Sequence, residues 1–190
     1  MVNRGSCSIR ALSLALLGLV FLAGCPSAGN VGQGTPVAGV TEGVRIQPQM
    51  GSDVCLPPPN AEIAVQQVLG LVNEERVNRG FEPLTVNPVL AQMADDYACD
   101  MIVREFFEHN DPDGKGPGQR AIEAGYLFLA IGENLAGGQT TPAQVMREWM
   151  ASTAGHRENI LSPQWSQIGI AVRAGGEFGV YWVQEFGNPP

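Results

Sequence analysis

The amino-acid sequence predicts an α+β fold in which helices pack against a small antiparallel sheet. Helical patterns, with apolar residues three and four positions apart, dominate residues 60–150. Strand patterns, with β-branched and aromatic residues around glycines, are confined to residues 168–186. Helices that come first and strands that come last are typical of an α+β domain.

Two helices are predicted in the first half of this region. Asn60 is in a position to cap the first, which continues until Gly80 ends the pattern. Asn87-Pro88 announces the second, because a cap residue followed by proline is a common helix start. The second helix carries an apolar stripe formed by Leu90, Met93, Ala94, Tyr97 and Met101.

Two further helices and a hairpin are predicted downstream. A glycine-rich loop at 111–118 precedes a short helix over 119–124. Thr141-Pro142-Ala143-Gln144 is a capping box that opens a helix through Trp149. Strands at 168–174 and 178–186, joined at Gly175-Gly176, indicate a β-hairpin that closes the domain.

The first 25 residues have the pattern of a bacterial lipoprotein signal. Arg4 and Arg10 form a positive region, and residues 11–23 are an apolar run too short to span a bilayer comfortably. The run ends in Leu22-Ala23-Gly24-Cys25, which resembles a lipobox with Cys25 as the lipidated residue. The alternative is an ordinary secreted protein in which a cysteine falls there by chance.

This interpretation predicts three segments and a location outside the cytoplasm. Residues 1–24 are the signal peptide, 25–59 a flexible Gly/Pro-rich tether, and 60–190 the folded domain. The membrane is a partner through the lipid on Cys25. No aspartate follows Cys25, so the expected site is the outer membrane or periplasm of a Gram-negative cell, or otherwise the cell surface.

The charge of the chain argues against one class of partner, and its cysteine content predicts a disulfide. Without residues 1–24 the chain keeps 9 basic and 19 acidic side chains, a formal charge of −10, which argues against nucleic acid. Cys55 and Cys99 are then the two remaining thiols, and an even pair in an oxidising compartment predicts one disulfide. Two independent buried thiols are the alternative.

The candidate functional residues are the chain's 2 histidines and the acid between them. His109, His156 and Glu133, which we expect in a glycine-flanked turn, are sufficient for a zinc site or for acid–base chemistry. Ser152 is expected to cap a short turn that contains His156. A Ser-His-Glu triad stays open, because a triad is recognised by geometry alone.

The order of motifs resembles the CAP superfamily (cysteine-rich secretory proteins, antigen 5, pathogenesis-related 1; the SCP domain) in its short bacterial form. The resemblance extends from about residue 62 to residue 187. It is carried by Asn73-Glu74-Glu75-Arg76, Leu84-Thr85-Val86-Asn87, His109, Gly132-Glu133-Asn134-Leu135, Trp149-Met150-Ala151-Ser152, Gly155-His156-Arg157, Ile168-Gly169-Ile170-Ala171 and Tyr181-Trp182-Val183-Gln184-Glu185-Phe186-Gly187.

The resemblance implies a three-layer α-β-α sandwich with a central antiparallel sheet. It also implies that His109, Glu133 and His156 converge in one cleft. Many eukaryotic members have two His and two Glu there, and some bind zinc through the histidines. In this chain Ser152 stands where the second glutamate is expected, which leaves His109, Glu133, His156 and Ser152 as the candidate site.

Three functions follow, in order of preference. The first is a monomeric, envelope-anchored module that needs no cofactor and binds a small molecule, lipid, glycan or protein in the cleft. The second is a hydrolase that depends on zinc or on Ser152, His and Glu133. The third is a buried polar network that only stabilises the fold.

Overall fold

A computed structural model describes residues 43–190, so the predicted signal peptide, Cys25 and residues 25–42 of the predicted tether lie outside the described part. The first half contains β1 (Ser52–Leu56), α1 (Ala61–Val77), β2 (Thr85–Val86), α2 (Pro88–Val103) and α3 (Pro117–Glu123). The second half contains β3 (Ala130–Gly137), α4 (Pro142–Ala151), α5 (His156–Leu161), β4 (Gln167–Gly176) and β5 (Gly179–Asn188).

The central sheet has five strands and is built around the predicted hairpin. The antiparallel order is β1-β4-β5-β3, and the two-residue β2 pairs with β4 in parallel. β4 and β5 pair from Gln167↔Gly187 to Gly175↔Gly179, so the hairpin is confirmed and its turn lies at Glu177 and Phe178. β3 pairs with β5 over its whole length and forms one edge.

Helices cover both faces of this sheet, which confirms the three-layer sandwich. Side chains alternate along β4 and β5, so each strand supplies apolar residues to both faces. One face packs against α1, α4 and α5 through Ile168, Ile170, Val172, Val180, Trp182 and Phe186. The opposite face packs against α2 through Leu135, Ala171, Tyr181 and Val183.

Local sequence signals set the helix starts. The Asn87 side chain accepts hydrogen bonds from the backbone N–H groups of Val89 and Leu90, and the Thr141 side chain accepts one from Gln144 N–H. Both caps are therefore confirmed. Asn60 precedes α1 as predicted, but its side chain makes no capping hydrogen bond.

The folded domain begins earlier than predicted. The segment from residue 43 to 59, expected to belong to the tether, contains β1 and the fully buried Ile46. Ile46 N–H donates to the Thr140 carbonyl at 2.7 Å, and Gly51 N–H donates to the Gly176 carbonyl at 2.8 Å. The boundary at residue 59 was wrong because a composition rich in Gly and Pro does not reveal one buried isoleucine and a short edge strand.

The predicted disulfide is present between Cys55 of β1 and Cys99 of α2, 44 residues apart. It ties the edge strand to the helix that covers the same face of the sheet. Among residues 43–190 no helix is long and apolar enough to cross a membrane.

Candidate functional site

Glu133 lies in the middle of the edge strand β3, which corrects the prediction of a glycine-flanked turn. The glycines of this segment serve close packing instead. A Cβ on Gly132 would lie 2.8 Å from the Trp165 ring, and one on Gly137 would lie 2.8 Å from the Phe178 ring. Strand geometry sends Glu133 and the next residue, Asn134, to opposite faces of the sheet.

The Glu133 carboxylate is buried and receives two different donors. His109 Nδ1 lies 2.7 Å from Oε1, and Arg120 Nη2 lies 2.5 Å from Oε2. The side chain of Glu133 is 1% exposed, whereas that of His109 is 55% exposed. The hydrogen bond to Glu133 is the main cause that raises the pKa of His109 above its ordinary value, although partial burial acts against it. The buried Glu133 carboxylate therefore fixes the orientation of the His109 ring.

A second carboxyl group, absent from the predicted site, lies directly beside the first. Glu185 of β5 is the cross-strand partner of Glu133 and is 0% exposed. Burial, and next the charge of Glu133, raise the pKa of Glu185 well above its ordinary value. Neither Glu185 oxygen accepts a hydrogen bond from the described residues, whereas the protonated group can donate to Glu133. Burial therefore favours the protonated, neutral form of Glu185.

Arg120 of α3 joins this pair to the helix that covers it. Its guanidinium carbon lies 3.3 Å from the centroid of the Tyr97 ring, and Nη1 donates to the backbone carbonyls of His109 and Lys115. Its side chain is 10% exposed, and its Nη2 lies 3.9 Å from Glu185 Oε1, beyond hydrogen-bond range. Arg120 therefore stabilises Glu133 and also fixes the loop that carries His109.

His156 belongs to α5, which packs on the other face of the sheet, and among residues 43–190 no hydrogen bond joins its ring to His109 or Glu133. It is the first residue of α5, preceded by Gly155 with a left-handed φ of 98°. The Asn134 side chain donates to the His156 carbonyl at 3.0 Å, so the edge strand positions the start of α5. Burial, and next the charge of His109, lower the pKa of His156. The two imidazoles thus titrate on opposite sides of the ordinary histidine value.

Ser152 is not part of this group. It is the residue at which α4 ends, and its Oγ accepts a hydrogen bond from the Ala154 N–H at 3.0 Å. It therefore stabilises the turn between α4 and α5, whereas the residue before α5 is Gly155, which corrects the predicted cap. In the part of the chain that is described, no hydrogen bond joins Ser152 to His109, His156 or Glu133.

A zinc ion held by His109, His156 and Glu133 does not fit this arrangement. Both Glu133 oxygens already accept hydrogen bonds, and a guanidinium lies against one of them. Within residues 43–190 no group of three or more His, Cys, Asp or Glu side chains is placed to hold a metal ion. A catalytic zinc site needs three protein ligands, and here two imidazoles remain.

Comparison with known proteins assigns the fold to a family. The model of the cysteine-rich secretory protein family, CAP, matches residues 69–186, a stretch that contains Glu133, Glu185 and both histidines. The chain belongs to the CAP family.

Three proteins illustrate what this chain is similar to. YkwD of Bacillus subtilis is 34% identical over 129 residues, which cover 68% of this chain and 49% of YkwD. An extracellular SCP-domain protein of Bacillus anthracis is 25% identical with a TM-score of 0.61, covering 67% of this chain and 41% of that one. An outer surface protein of Borrelia burgdorferi is 21% identical with a TM-score of 0.63, covering 68% and 95%. This chain spans about half the length of YkwD.

The sequence interpretation of the CAP site missed two of its charged residues. Arg120 gave no signal, because a single arginine in a short amphipathic helix is ordinarily a surface residue. Glu185 did give one: the alternation of β5 places it on the same face as Tyr181 and Val183, and an acid at a buried strand position is unusual. The site therefore has two carboxyl groups, and not the single one expected.

Proposed function

We propose that this protein is a ligand-binding module of the cell envelope that uses the exposed surface formed by His109 and His156. An extracytoplasmic CAP-domain protein is what the family match and the extracellular and surface relatives support. A lipid anchor at Cys25 remains part of the proposal. So does the class of ligand, a small molecule, lipid, glycan or protein.

The observation that carries this proposal is the hydrogen bond that holds the exposed His109 ring against the buried carboxylate of Glu133. Glu133 accepts from His109 Nδ1, so His109 Nε2 donates to a ligand when the ring is protonated, the form that the raised pKa favours. His156 has a lowered pKa and is neutral at the same pH, so it offers a ring nitrogen as an acceptor. A donor beside an acceptor recognises a ligand group that has both, such as a hydroxyl.

The hydrolase alternative lacks parts in this arrangement. His109 and Glu133 form the base and orienting carboxylate of a triad, but Ser152 makes its hydrogen bond to Ala154. We derive no metal-dependent step, since Glu133 is bound to Arg120 and His109. Titration with Zn²⁺, followed by NMR of both imidazoles, tests the point. A response of both rings at micromolar metal would favour the hydrolase over our proposal.

The binding proposal is tested with a panel of soluble polysaccharide fragments and phospholipid vesicles, using the wild type and His109→Ala. We expect one class of probe to bind the wild type and to lose about tenfold in affinity, the equivalent of one charge-assisted hydrogen bond, in His109→Ala. His109 is exposed, so this variant should keep the native fold. Equal binding of every probe by both proteins would contradict the proposal.

A further inference from the structure

A cavity of about 530 Å³ lies at the end of the sheet where the β4–β5 turn, the start of β1 and the segment after α2 meet. Its volume is within the range of small-molecule sites. The residues that line it include neither histidine and neither carboxyl group of the site described above. It is lined by Gly51, Asp53, Ile102, Glu105, Phe106, Phe107, Gly176, Glu177, Phe178 and Tyr181.

Three aromatic rings form the rigid wall of this cavity. The centroid of Phe107 lies 4.9 Å from that of Phe178 and 5.9 Å from that of Tyr181, and the rings are tilted by 58° and 66°. Phe178 and Tyr181 are tilted by 66° as well. Phe107 and Phe178 are half-buried, so part of each ring is open to a cation in the cavity, whereas Tyr181 is 2% exposed and supports them from behind.

The aromatic wall is held in place before any ligand arrives. The turn that carries Phe178 packs against Tyr181, whose ring centroid lies 5.6 Å from that of Phe178. Phe178 in turn packs directly against Gly137 of β3. Ordering these side chains is part of folding, so a ligand does not have to supply the entropy for it.

Every charged residue that lines the cavity is acidic. Asp53, Glu105 and Glu177 are exposed, and no Lys, Arg or His is among the ten residues. Arg104, which approaches the Phe106 ring, is already paired with Asp100 and Asp113. The cavity therefore combines aromatic faces with three carboxylates that no lining cation neutralises.

Glu105 occupies a backbone conformation that favours glycine. It is the single non-glycine residue with positive φ in the described chain, at 55°, and it follows the end of α2. Phe106 N–H donates to the Met101 carbonyl across it, the hydrogen bond of a Schellman motif. An acid is thus kept where glycine would be less strained, and strain of this kind is concentrated at functional sites.

We propose that this cavity binds a small, soluble organic cation with an alkylated ammonium group. Aromatic faces attract such groups, which are too large and too weakly hydrated to be held by carboxylates alone. The three carboxylates supply long-range attraction for the cation. The cavity is a second site, separate from the His109 and His156 surface.

The proposal is tested by titrating the purified protein with choline, and with 3,3-dimethyl-1-butanol, its uncharged isostere of the same shape. Ring signals of Phe107, Phe178 and Tyr181 are followed by NMR. We expect choline to shift all three, and the isostere to bind at least about tenfold more weakly, since it lacks the cation–π and charge interactions. Equal binding of the two probes, or no shift with choline at about 50 mM, well above the weakest binding of interest, overturns the proposal.

Variants separate the two kinds of interaction. Glu105→Gln and Glu177→Gln should each weaken choline binding about threefold, and Phe107→Leu about fivefold. Glu62→Gln, an exposed change of the same charge on α1, is the matched control and should bind as the wild type does. Wild-type affinity in both glutamine variants would refute the role of the carboxylates even if Phe107→Leu fails to fold.

Two further outcomes distinguish this proposal from binding at the His109 and His156 surface and from binding to a lipid surface. His109→Ala should bind choline normally, because His109 does not line the cavity; loss of binding in that variant would overturn the assignment of a separate site. Binding of phosphatidylcholine vesicles without binding of free choline would assign the cavity to a lipid surface and contradict the soluble ligand proposed.

Discussion

At the scale of single residues, Glu133 and Glu185 stand opposite each other on neighbouring strands and yet have different surroundings. Glu133 receives Arg120 and His109, whereas Glu185 receives no donor. Like charges directly opposite each other in a sheet destabilise it. One of the two must therefore hold a proton, and burial selects Glu185.

Glu185→Gln should stabilise the protein at neutral pH. In the native state the pKa of Glu185 is raised, so the unfolded chain releases this proton first and stability falls as pH rises from the ordinary glutamate value towards the native one. Glutamine mimics the protonated acid and removes that fall. We expect a gain of about 1–2 kcal/mol, measured by urea denaturation at several pH values.

Glu133→Gln is the matched control, with the same atoms exchanged on the facing strand. It leaves the buried Arg120 guanidinium without its carboxylate, and we expect a loss of about 3 kcal/mol. Losses of equal size in the two variants would show that both carboxyl groups are ionised, contrary to the charge states derived from the structure.

The two histidines should titrate in opposite directions, as NMR of their ring protons will measure. The pKa of His109 lies above the ordinary value because of Glu133, and that of His156 lies below it because of burial. The stability that His109 contributes is fully present below the pKa of this histidine in the unfolded chain. It is lost as the pH rises through the raised native pKa. His156 acts in the other direction. The stability that it contributes is lost as the pH falls below the pKa of this histidine in the unfolded chain.

Glu133→Gln provides the control for this titration. It should lower the pKa of His109 towards the ordinary value and leave that of His156 below it. An unchanged His109 titration in Glu133→Gln would contradict the hydrogen bond as the cause.

At the scale of secondary-structure elements, α2 packs so closely on β4 that no side chain fits between them at one point. A Cβ on Gly169 would lie 2.1 Å from the Leu90 carbonyl carbon and 2.3 Å from the Ala91 nitrogen, both of them backbone atoms. Helix α2, which carries Tyr97, can therefore approach the sheet this closely only because residue 169 has no Cβ.

Gly169→Ala should therefore destabilise the protein by about 3 kcal/mol, because a backbone contact cannot rotate away as a side chain can. Urea denaturation measures the change. The control is Gly70→Ala in α1, where a Cβ would meet nothing within 4 Å and alanine should add about 0.5–1 kcal/mol of stability. A tolerated Gly169→Ala would contradict this packing.

The elements that local signals specify were predictable from the sequence, and those that distant contacts specify were not. The caps Asn87 and Thr141 act within three residues, and both helix starts were predicted correctly. The sequence predicts a glycine-flanked turn at Glu133, whereas Glu133 lies in β3 and Gly132 is required by the Trp165 ring, far along the chain.

At the scale of the whole molecule, the site joins four segments that are distant in sequence. His109 follows α2, Arg120 is on α3, and Glu133 and Glu185 are on β3 and β5. The family resemblance predicts that His109, Glu133 and His156 converge in one cleft; the structure joins His109 to Glu133 by a hydrogen bond, and convergence with His156 stays a prediction. Arg120 could not be predicted, since a long-range ion pair leaves no mark in the local pattern.

The segment before α1 is also part of the whole, and Ile46 tests its contribution. Ile46→Ala should lower the free energy of unfolding by about 3 kcal/mol, as for other fully buried isoleucines. Thermal and urea denaturation measure the change, with the exposed Val54→Ala as control, expected within about 0.5 kcal/mol. An unchanged free energy of unfolding in Ile46→Ala would contradict the inclusion of residues 43–59 in the folded domain.

The proton on Glu185 also affects how the molecule exchanges protons with its surroundings. The formal charge of −8 counts Glu185 as an anion, so the native chain is one unit less negative whenever Glu185 is protonated, the form that burial favours. Unfolding returns the pKa of Glu185 to its ordinary value, so at any pH between the ordinary and the raised native pKa it releases this proton to the buffer. The calorimetric heat of unfolding will therefore depend on the buffer's ionisation enthalpy.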